Sequence, residues 1–300
     1  MKKSLWAHVC LFLAQVIYAL NYSIAKDLMP QNKGPIEPLA LVFLRITGAG
    51  ILFWLIGLFI PEKIDKKDFR KLLLLAALGV AINQGFFIYG LSKTEPINSA
   101  IIMISSPISV LLLSVYFFKE QINVKKIAGI GIGVTGALTL LLFNRSFEIG
   151  SNTITGDFFT LINSISWACF MIMAKPMLEK YNTITVMKWL FAIGFIYFFP
   201  FGIKDVTEIK YTALSASVWW SLGFVVVGTT FFAYLLNTFA LKKLSSSVVA
   251  SYIYIQPFLA SIIATIWGKD ELYAKKIVAG ILIICGVWLV SKGNAQTKEN

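Results

Sequence analysis

Residues that carry enzyme chemistry are scarce in this sequence. Only 14% of its residues are charged, it has one histidine, and its three cysteines show neither metal-ligand nor disulfide spacing. It contains no glycine-rich phosphate loop, no HExxH helix and no nucleophile elbow. The sequence therefore predicts a protein that is not an enzyme, has no metal site and needs no cofactor.

Apolar residues make up most of the chain. They account for 57% of it, and the mean hydropathy is +0.75, values typical of a protein whose solvent is mainly lipid. Runs of roughly 18–25 apolar residues, long enough to cross a hydrocarbon core of about 30 Å, recur along the whole sequence. The sequence predicts an all-α integral membrane protein with ten transmembrane helices, at about residues 5–25, 38–60, 71–92, 97–118, 124–143, 155–179, 184–202, 217–241, 245–267 and 274–291.

The first apolar run has two interpretations. A basic start followed by an apolar stretch is also typical of a cleaved secretory signal peptide. This run is longer than the apolar part of a usual signal, and its Tyr18-Ala19 pair resembles Trp167-Ala168 in the sixth run. We therefore interpret it as the first transmembrane helix.

Residues 90–140 and 240–290 resemble two copies of one unit. The matches fall on a single ungapped offset, and internal duplication of this kind is common in secondary transporters. The matched pairs include Gly90 and Ala240, Pro107 and Pro257, Lys119 and Lys269, Lys125 and Lys275, Lys126 and Lys276, and Gly136 and Gly286.

The repeat divides the chain into halves of five helices each, residues 5–143 and 155–291. The connections between the apolar runs are too short for a soluble domain. Because five is an odd number, tandem halves must cross the membrane in opposite directions. The sequence thus predicts two inverted five-helix repeats.

The net charge of +12 is best explained by membrane topology. With a cytoplasmic N-terminus, the loops that face inward carry more Lys and Arg than the outer loops, and the basic segment at residues 63–71 is the strongest inner one. The exceptions, Lys275 and Lys276, match Lys125 and Lys126 of the other repeat, as an inverted duplication would produce. This pattern predicts cytoplasmic termini, a location in the plasma membrane (in a bacterium, the inner membrane) and no nucleic-acid partner.

Two matched prolines stand near the middle of predicted helices four and nine. Proline lacks an N–H and clashes with the carbonyl four residues earlier, so Pro107 and Pro257 are predicted to interrupt their helices beside Met103 and Ile253. In lipid, freed backbone groups are tolerated only where protein or a water-filled cavity satisfies them. The prolines are either plain structural kinks or hinges at a cavity, and we assign them as hinges.

Polar and aromatic residues recur at membrane depth on several predicted helices. Each one alone could simply form an interhelical hydrogen bond, but together they predict a cavity that suits a neutral or zwitterionic molecule. The predicted substrate-binding residues are Gln15, Tyr18, Asn21, Asn83, Gln84, Ser106, Asn163, Trp167, Asn237, Tyr252 and Gln256.

The charges within the apolar runs leave two questions open. Arg45 lies in the second run, where it either extends to the interface or faces a cavity. No Asp or Glu stands in the middle of a run, so the sequence gives no support to proton coupling. His8 is interpreted as an interfacial residue.

Further motifs occur in the same order in both halves. Glu120 precedes Gly129 by nine residues, and Glu271 precedes Gly280 by the same distance. Asn21 and Lys26 end the first run. On these features the sequence resembles the EamA family of the drug/metabolite transporter superfamily over essentially its full length, although Tyr18-Ala19 stands where that family usually has Trp-Gly.

That resemblance implies a ten-helix carrier with inverted halves that works by alternating access. It also implies that helices 1, 3, 4, 6, 8 and 9 surround the cavity while helices 5 and 10 support it. The expected function is secondary transport, with efflux of small organic solutes such as amino acids or related metabolites. An uncoupled facilitator or pore, and a membrane sensor that binds solute without moving it, are the alternatives.

Overall fold

The structure, a computed structural model, describes residues 2–94, 96–118, 122–142, 154–266 and 274–296. Within these ranges the chain is helical and contains no β-strand, and ten helices are long and apolar enough to cross a membrane. The predicted all-α membrane fold is therefore confirmed. Four residues of the predicted repeat, Lys119, Glu120, Lys269 and Glu271, lie outside the described ranges.

The ten helices are numbered α1 to α10. They are α1 (Lys2–Asp27), α2 (Pro38–Gly57), α3 (Lys66–Lys93), α4 in two pieces (Pro96–Met103 and Ser105–Phe118), α5 (Val124–Leu142), α6 (Ile154–Lys180), α7 (Thr183–Thr207), α8 (Ala216–Lys243), α9 in three pieces (Ser246–Ser251, Tyr252–Tyr254 and Ile255–Ile266) and α10 (Ala274–Gln296).

Two predicted boundaries were wrong. Helix α3 begins at Lys66 and not near residue 71, because the charged segment forms an amphipathic first part of the helix, with Leu72 and Leu75 buried. Helix α7 continues through Pro200 to Thr207. Proline frees one backbone carbonyl oxygen of the helix. A transmembrane helix tolerates this where neighbouring groups can satisfy that oxygen.

The helices pack mainly in pairs that join the two halves of the chain. Helix α1 packs on α8 and α9, α2 on α7, α3 and α4 on α6, and α5 on α10. The pattern of α1 with α8 and α9 is matched by α6 with α3 and α4. Such an exchange of partners is what twofold-related halves would give, although the inverted relation itself stays a prediction.

The helices nearest the centre have irregular backbones at matched places. Helix α3 contains a π-helical turn at Ala77–Ile82, and α8 contains one at Phe224–Phe232. Helix α4 is broken at Ile104, and α9 passes through a 3₁₀ turn at Tyr252–Tyr254. The breaks in α4 and α9 lie just before Pro107 and Pro257, as expected because proline lacks the N–H that would continue the helix. A hinge role for Pro107 and Pro257 remains a prediction.

Helices α5 and α10 touch backbone to backbone. A Cβ atom built on Gly129 would lie 2.7 Å from the carbonyl oxygen of Gly286, and one on Gly286 would lie 2.6 Å from that of Gly129. Small residues let the two backbones approach this closely. In lipid, the resulting van der Waals contacts stabilise the helix pair, because burial of apolar side chains gives little driving force there. Neither helix contributes a residue to the wall of the cavity described below.

Candidate functional site

A cavity lies between the two halves of the bundle. It contains about 670 Å³ of unoccupied space, counting the part that opens to the outside. Helices α1, α2, α3, α4, α6, α8 and α9 all contribute side chains to its wall. Apart from α2, these are the helices that the family resemblance implied.

Nine of the eleven predicted substrate-binding residues line this cavity, although binding itself stays a prediction for them. They come from five helices that are far apart in sequence, and they mix amides with aromatic rings. The nine are Gln15, Tyr18, Asn21, Asn83, Gln84, Asn163, Trp167, Asn237 and Gln256.

The other two predicted residues do not line the cavity. The Ser106 hydroxyl forms a hydrogen bond with Ser164 Oγ at 2.9 Å, so it joins α4 to α6. Tyr252 OH lies 2.8 Å from His8 Nδ1, at an apolar groove between α1, α9 and α10. Placing these two residues in the cavity wall was therefore wrong, because both side chains turn toward a packed neighbour.

The sequence-based prediction missed a further group of lining residues. Helical spacing could have found several of them, since Tyr22, Phe87 and Met171 each follow a predicted lining residue by four positions on the same helix face. The charge of Arg45 was a second available signal. The missed residues are Tyr22, Arg45, Phe87, Met103, Met171, Thr229, Tyr234, Val249 and Ile253.

Side chains from α6 and α8 hold the π-helical turn of α3 in place. Asn163 Nδ2 donates to the Asn83 carbonyl oxygen at 2.7 Å, and Ser166 Oγ donates to the Leu78 carbonyl oxygen at 2.6 Å. Tyr234 OH contacts Asn83 Oδ1 at 2.7 Å. A π-helical turn disturbs the regular hydrogen-bond ladder, so carbonyl oxygens become available to other donors. The network fixes one wall of the cavity.

A second hydrogen bond crosses the cavity wall between α1 and α9. Gln256 Nε2 donates to Gln15 Oε1 at 2.6 Å, and both residues are buried. This bond links the first helix of the first half to the fourth helix of the second half. It therefore connects two helices that must move relative to each other if the halves rock.

Replacing Gln256 with leucine is expected to lower the free energy of unfolding by about 1–3 kcal/mol, because Gln15 Oε1 is left buried and unpaired. Gln15→Leu should cost a similar amount. The double variant should cost clearly less than the sum, because both partners are then apolar. Denaturant unfolding in detergent measures the cycle, and strictly additive costs would show that the two amides do not interact.

Arg45 is buried and does not extend to the interface. It is 3% exposed, and its Nε donates to Thr230 Oγ1 at 2.9 Å. The interfacial interpretation left open by the sequence is therefore wrong. The residue instead faces the cavity, where several other polar atoms are also buried without a hydrogen-bond partner, namely Asn21 Oδ1, Gln84 Nε2 and Oε1, Asn163 Oδ1 and Thr229 Oγ1.

One end of the bundle is held together by a group that we call the Lys180 latch, formed by Lys180, Tyr181, Asp65 and Asp68. Lys180 Nζ lies 2.6 Å from Asp65 Oδ2 and 2.7 Å from Asp68 Oδ2, and Tyr181 OH donates to Asp68 Oδ2 at 2.9 Å. The hydrogen bond from Lys180 lowers the pKa of the Asp65 carboxyl below its usual value, because it stabilises the charged carboxylate. The latch joins the α2–α3 connection of one half to the end of α6 in the other.

The cavity lies at intermediate depth in the bundle. On α1 and α3 its lining residues lie nearer the helix ends away from the latch. On α9, Val249 and Ile253 lie nearer Ser246, which is at the latch end. In the described ranges no cluster of His, Cys, Asp and Glu could hold a metal ion.

Comparison with known proteins places this architecture in a family. The EamA-like transporter family matches twice, over residues 5–142 and 154–292. An uncharacterized transporter of Archaeoglobus fulgidus is 26% identical over 294 residues, covering 96% of this chain and 98% of that protein. The uncharacterized transporter YetK of Bacillus subtilis is 22% identical, covering 96% of this chain and 87% of its own length.

A solved crystal structure supports the fold independently. It superposes with a TM-score of 0.77 at 16% identity and covers 98% of each chain, which at this identity shows the fold alone. The family and the named relatives are transporters and not enzymes. The chain, with its ten membrane helices around a central cavity, therefore belongs to the EamA-like transporter family.

Proposed function

We propose that the protein is a secondary transporter that carries small organic solutes through the central cavity by alternating access. The observation that carries the proposal is a polar and aromatic cavity, built from both halves, in a bundle whose halves are joined at one end by the Lys180 latch. A central cavity with one end of the bundle held together is what one of two alternating states would present. In the other state the latch is open and the opposite end is closed.

The irregular backbones support this mechanism. The π-helical turns of α3 and α8 and the breaks of α4 and α9 all border the cavity, and transporters commonly use interrupted helices at their sites. Interrupted helices can bend without breaking a continuous hydrogen-bond ladder. In this proposal Pro107 and Pro257 mark the hinges, and residues 5–143 and 155–291 are the inverted halves that rock.

The proposed orientation places the latch end in the cytoplasm. The basic segment at residues 63–71 lies at this end, and an excess of Lys and Arg favours the cytoplasmic side. Both termini then face the cytoplasm, and the chain spans the plasma membrane. The proposed direction is export.

The cavity wall favours amino acids or related metabolites as solutes. Its hydrogen-bonding groups are mostly amides and phenols, and its apolar part includes Phe87, Met171 and the Trp167 ring, which stacks on Phe170 with centroids 5.3 Å apart. Aromatic rings and neutral polar groups suit a compact molecule with few net charges.

Counterflow in liposomes tests the proposed function. Purified protein is reconstituted in vesicles loaded with a high concentration of one unlabelled L-amino acid or monocarboxylic metabolite, and entry of the labelled compound is followed. A carrier gives a transient accumulation above equilibrium and a flux that saturates with concentration. An unsaturated flux without accumulation would identify a pore, and solute binding without any flux would identify a sensor.

A further inference from the structure

Helix α2 places a positive charge inside the bundle. The Arg45 side chain lines the cavity and is oriented through one nitrogen, since Nε donates to Thr230 Oγ1 at 2.9 Å. Thr230 Oγ1 donates in turn to the Val225 carbonyl oxygen at 2.8 Å, inside the π-helical turn of α8. Arg45 Nη1 is buried and has no hydrogen-bond partner. The guanidinium is thus oriented by one hydrogen bond while its Nη1 donor stays free to bind another group.

No counter-charge accompanies this guanidinium. The residues that line the cavity include no Asp or Glu, and the ion pairs within the described ranges lie at the latch end of the bundle. An unpaired buried charge is strongly unfavourable, and an arginine with only a packing role would have its donors satisfied. The unmatched charge and the free donor point to an anionic ligand.

Nearby polar atoms define the rest of that ligand. Gln84 Nε2 and Thr229 Oγ1 are buried, unpaired atoms in the same wall that can donate, whereas Asn21 Oδ1, Gln84 Oε1 and Asn163 Oδ1 are buried, unpaired acceptors. A ligand with one anionic group and one donating group would satisfy both sets. A dianion would leave the three amide oxygens without donors.

We propose that Arg45 binds the carboxylate of the transported solute, with Gln84 and Thr229 as further donors to it. Asn21 and Asn163 accept from an ammonium or hydroxyl group of the same solute. The proposal rests on the proposed transport function and narrows its substrate to monocarboxylic solutes that carry a donor group, such as α-amino acids and hydroxy acids.

A binding experiment on the purified protein tests the carboxylate requirement without any variant. Thermal unfolding in detergent is measured with the L-amino acids and lactate, with their matched carboxamides, and with sodium chloride. At least one acid should raise the melting temperature, and its amide should need about 10-fold or more higher concentration for the same rise. Equal stabilisation by acid and amide, stabilisation by chloride alone, or no effect of any acid would overturn the proposal.

Variants then assign the selectivity to Arg45. Arg45→Gln should weaken binding of the stabilising acid about 10- to 100-fold and leave binding of the amide nearly unchanged. Arg45→Lys should fall between, because it keeps the charge and loses the planar fork. Arg70→Gln is the matched control, since Arg70 is exposed at the start of α3, and it should bind like the wild type. Unchanged acid binding in Arg45→Gln would overturn the assignment.

A second variant covers the case in which Arg45→Gln does not fold. Thr230→Val keeps the shape of a buried residue but removes the acceptor that orients Arg45 Nε. It should weaken acid binding while amide binding is kept, and equal weakening of both would count against the proposal.

Binding and transport can fail separately. Selective, Arg45-dependent binding of an acid without counterflow would leave the carboxylate site standing and remove the transport function. Counterflow of solutes without a carboxylate, undiminished in Arg45→Gln, would leave transport standing and overturn the carboxylate site.

Discussion

Replacing Gly286 with leucine is expected to leave almost no correctly folded protein. A Cβ atom at this position would lie 2.6 Å from the Gly129 carbonyl oxygen and 2.7 Å from the Gly133 backbone nitrogen. Backbone atoms cannot rotate away as a side chain can, so α10 would have to separate from α5 along the contact. Overpacking typically costs about 1–3 kcal/mol and more where backbone must move, which is a large part of the stability of a typical domain.

The matched control is Gly131→Leu on α5. A Cβ atom on Gly131 would meet nothing within 4 Å, and the residue is exposed on the outside of the bundle. Size-exclusion chromatography of fluorescent fusions in detergent should show a monodisperse peak for the control and a small or aggregated one for Gly286→Leu. Equal peaks would mean that the close contact of α5 and α10 is dispensable.

Replacing Lys180 with methionine is expected to open the latch end of the bundle. The contact with exposed Asp65 contributes little on its own. Asp68 is different, because its side chain is only 10% exposed and would lose a charged partner at 2.7 Å. Loss of this partner should shift the balance between the two states toward the one in which the latch end is open.

A cysteine in the cavity reports this shift. Met103→Cys lies in the cavity wall, and it is made in a background in which the free cysteines Cys10, Cys169 and Cys285 are replaced by serine. Modification by a membrane-impermeant thiol reagent from the latch side should be about 5- to 100-fold faster with Lys180→Met. Lys67→Met, at an exposed lysine of α3, is the control and should change nothing. An unchanged rate with Lys180→Met would show that the latch does not close that end.

Composition alone was enough to predict the membrane helices. A run of apolar residues that spans the bilayer must be helical, because lipid offers no partners to the backbone, and this holds whatever the helix packs against. The ends were less certain. The start of α3 at Lys66 was missed because a charged, amphipathic turn at the interface lacks the apolar signal.

Local spacing predicted half of the residues in the cavity wall. Residues on α1 and α6, such as Gln15 and Asn163, lie on one face of a regular helix, so the residues that share that face could be read from the sequence. Ser106 and Tyr252 were misplaced because each stands beside a helix break. A break changes the rotation per residue, and the faces beyond it no longer follow from spacing.

Contacts between the halves could not be predicted in the same way. Lys180, Asp65 and Asp68 meet only because the end of α6 is packed beside the start of α3, and their sequence positions contain no signal for that meeting. The orientation of Arg45 likewise depends on Thr230, which lies in a π-helical turn of α8. No pattern of residues in the sequence predicted that turn.

The most direct test of alternating access through the central cavity is the accessibility of Met103→Cys from the two sides of the membrane. The thiol is labelled in right-side-out and inside-out vesicles, with and without a solute that stabilises the protein. We expect labelling from either side and a solute that slows both reactions, because one cavity opens alternately to each side. Labelling from a single side under all conditions, unaffected by solute, would contradict the proposal.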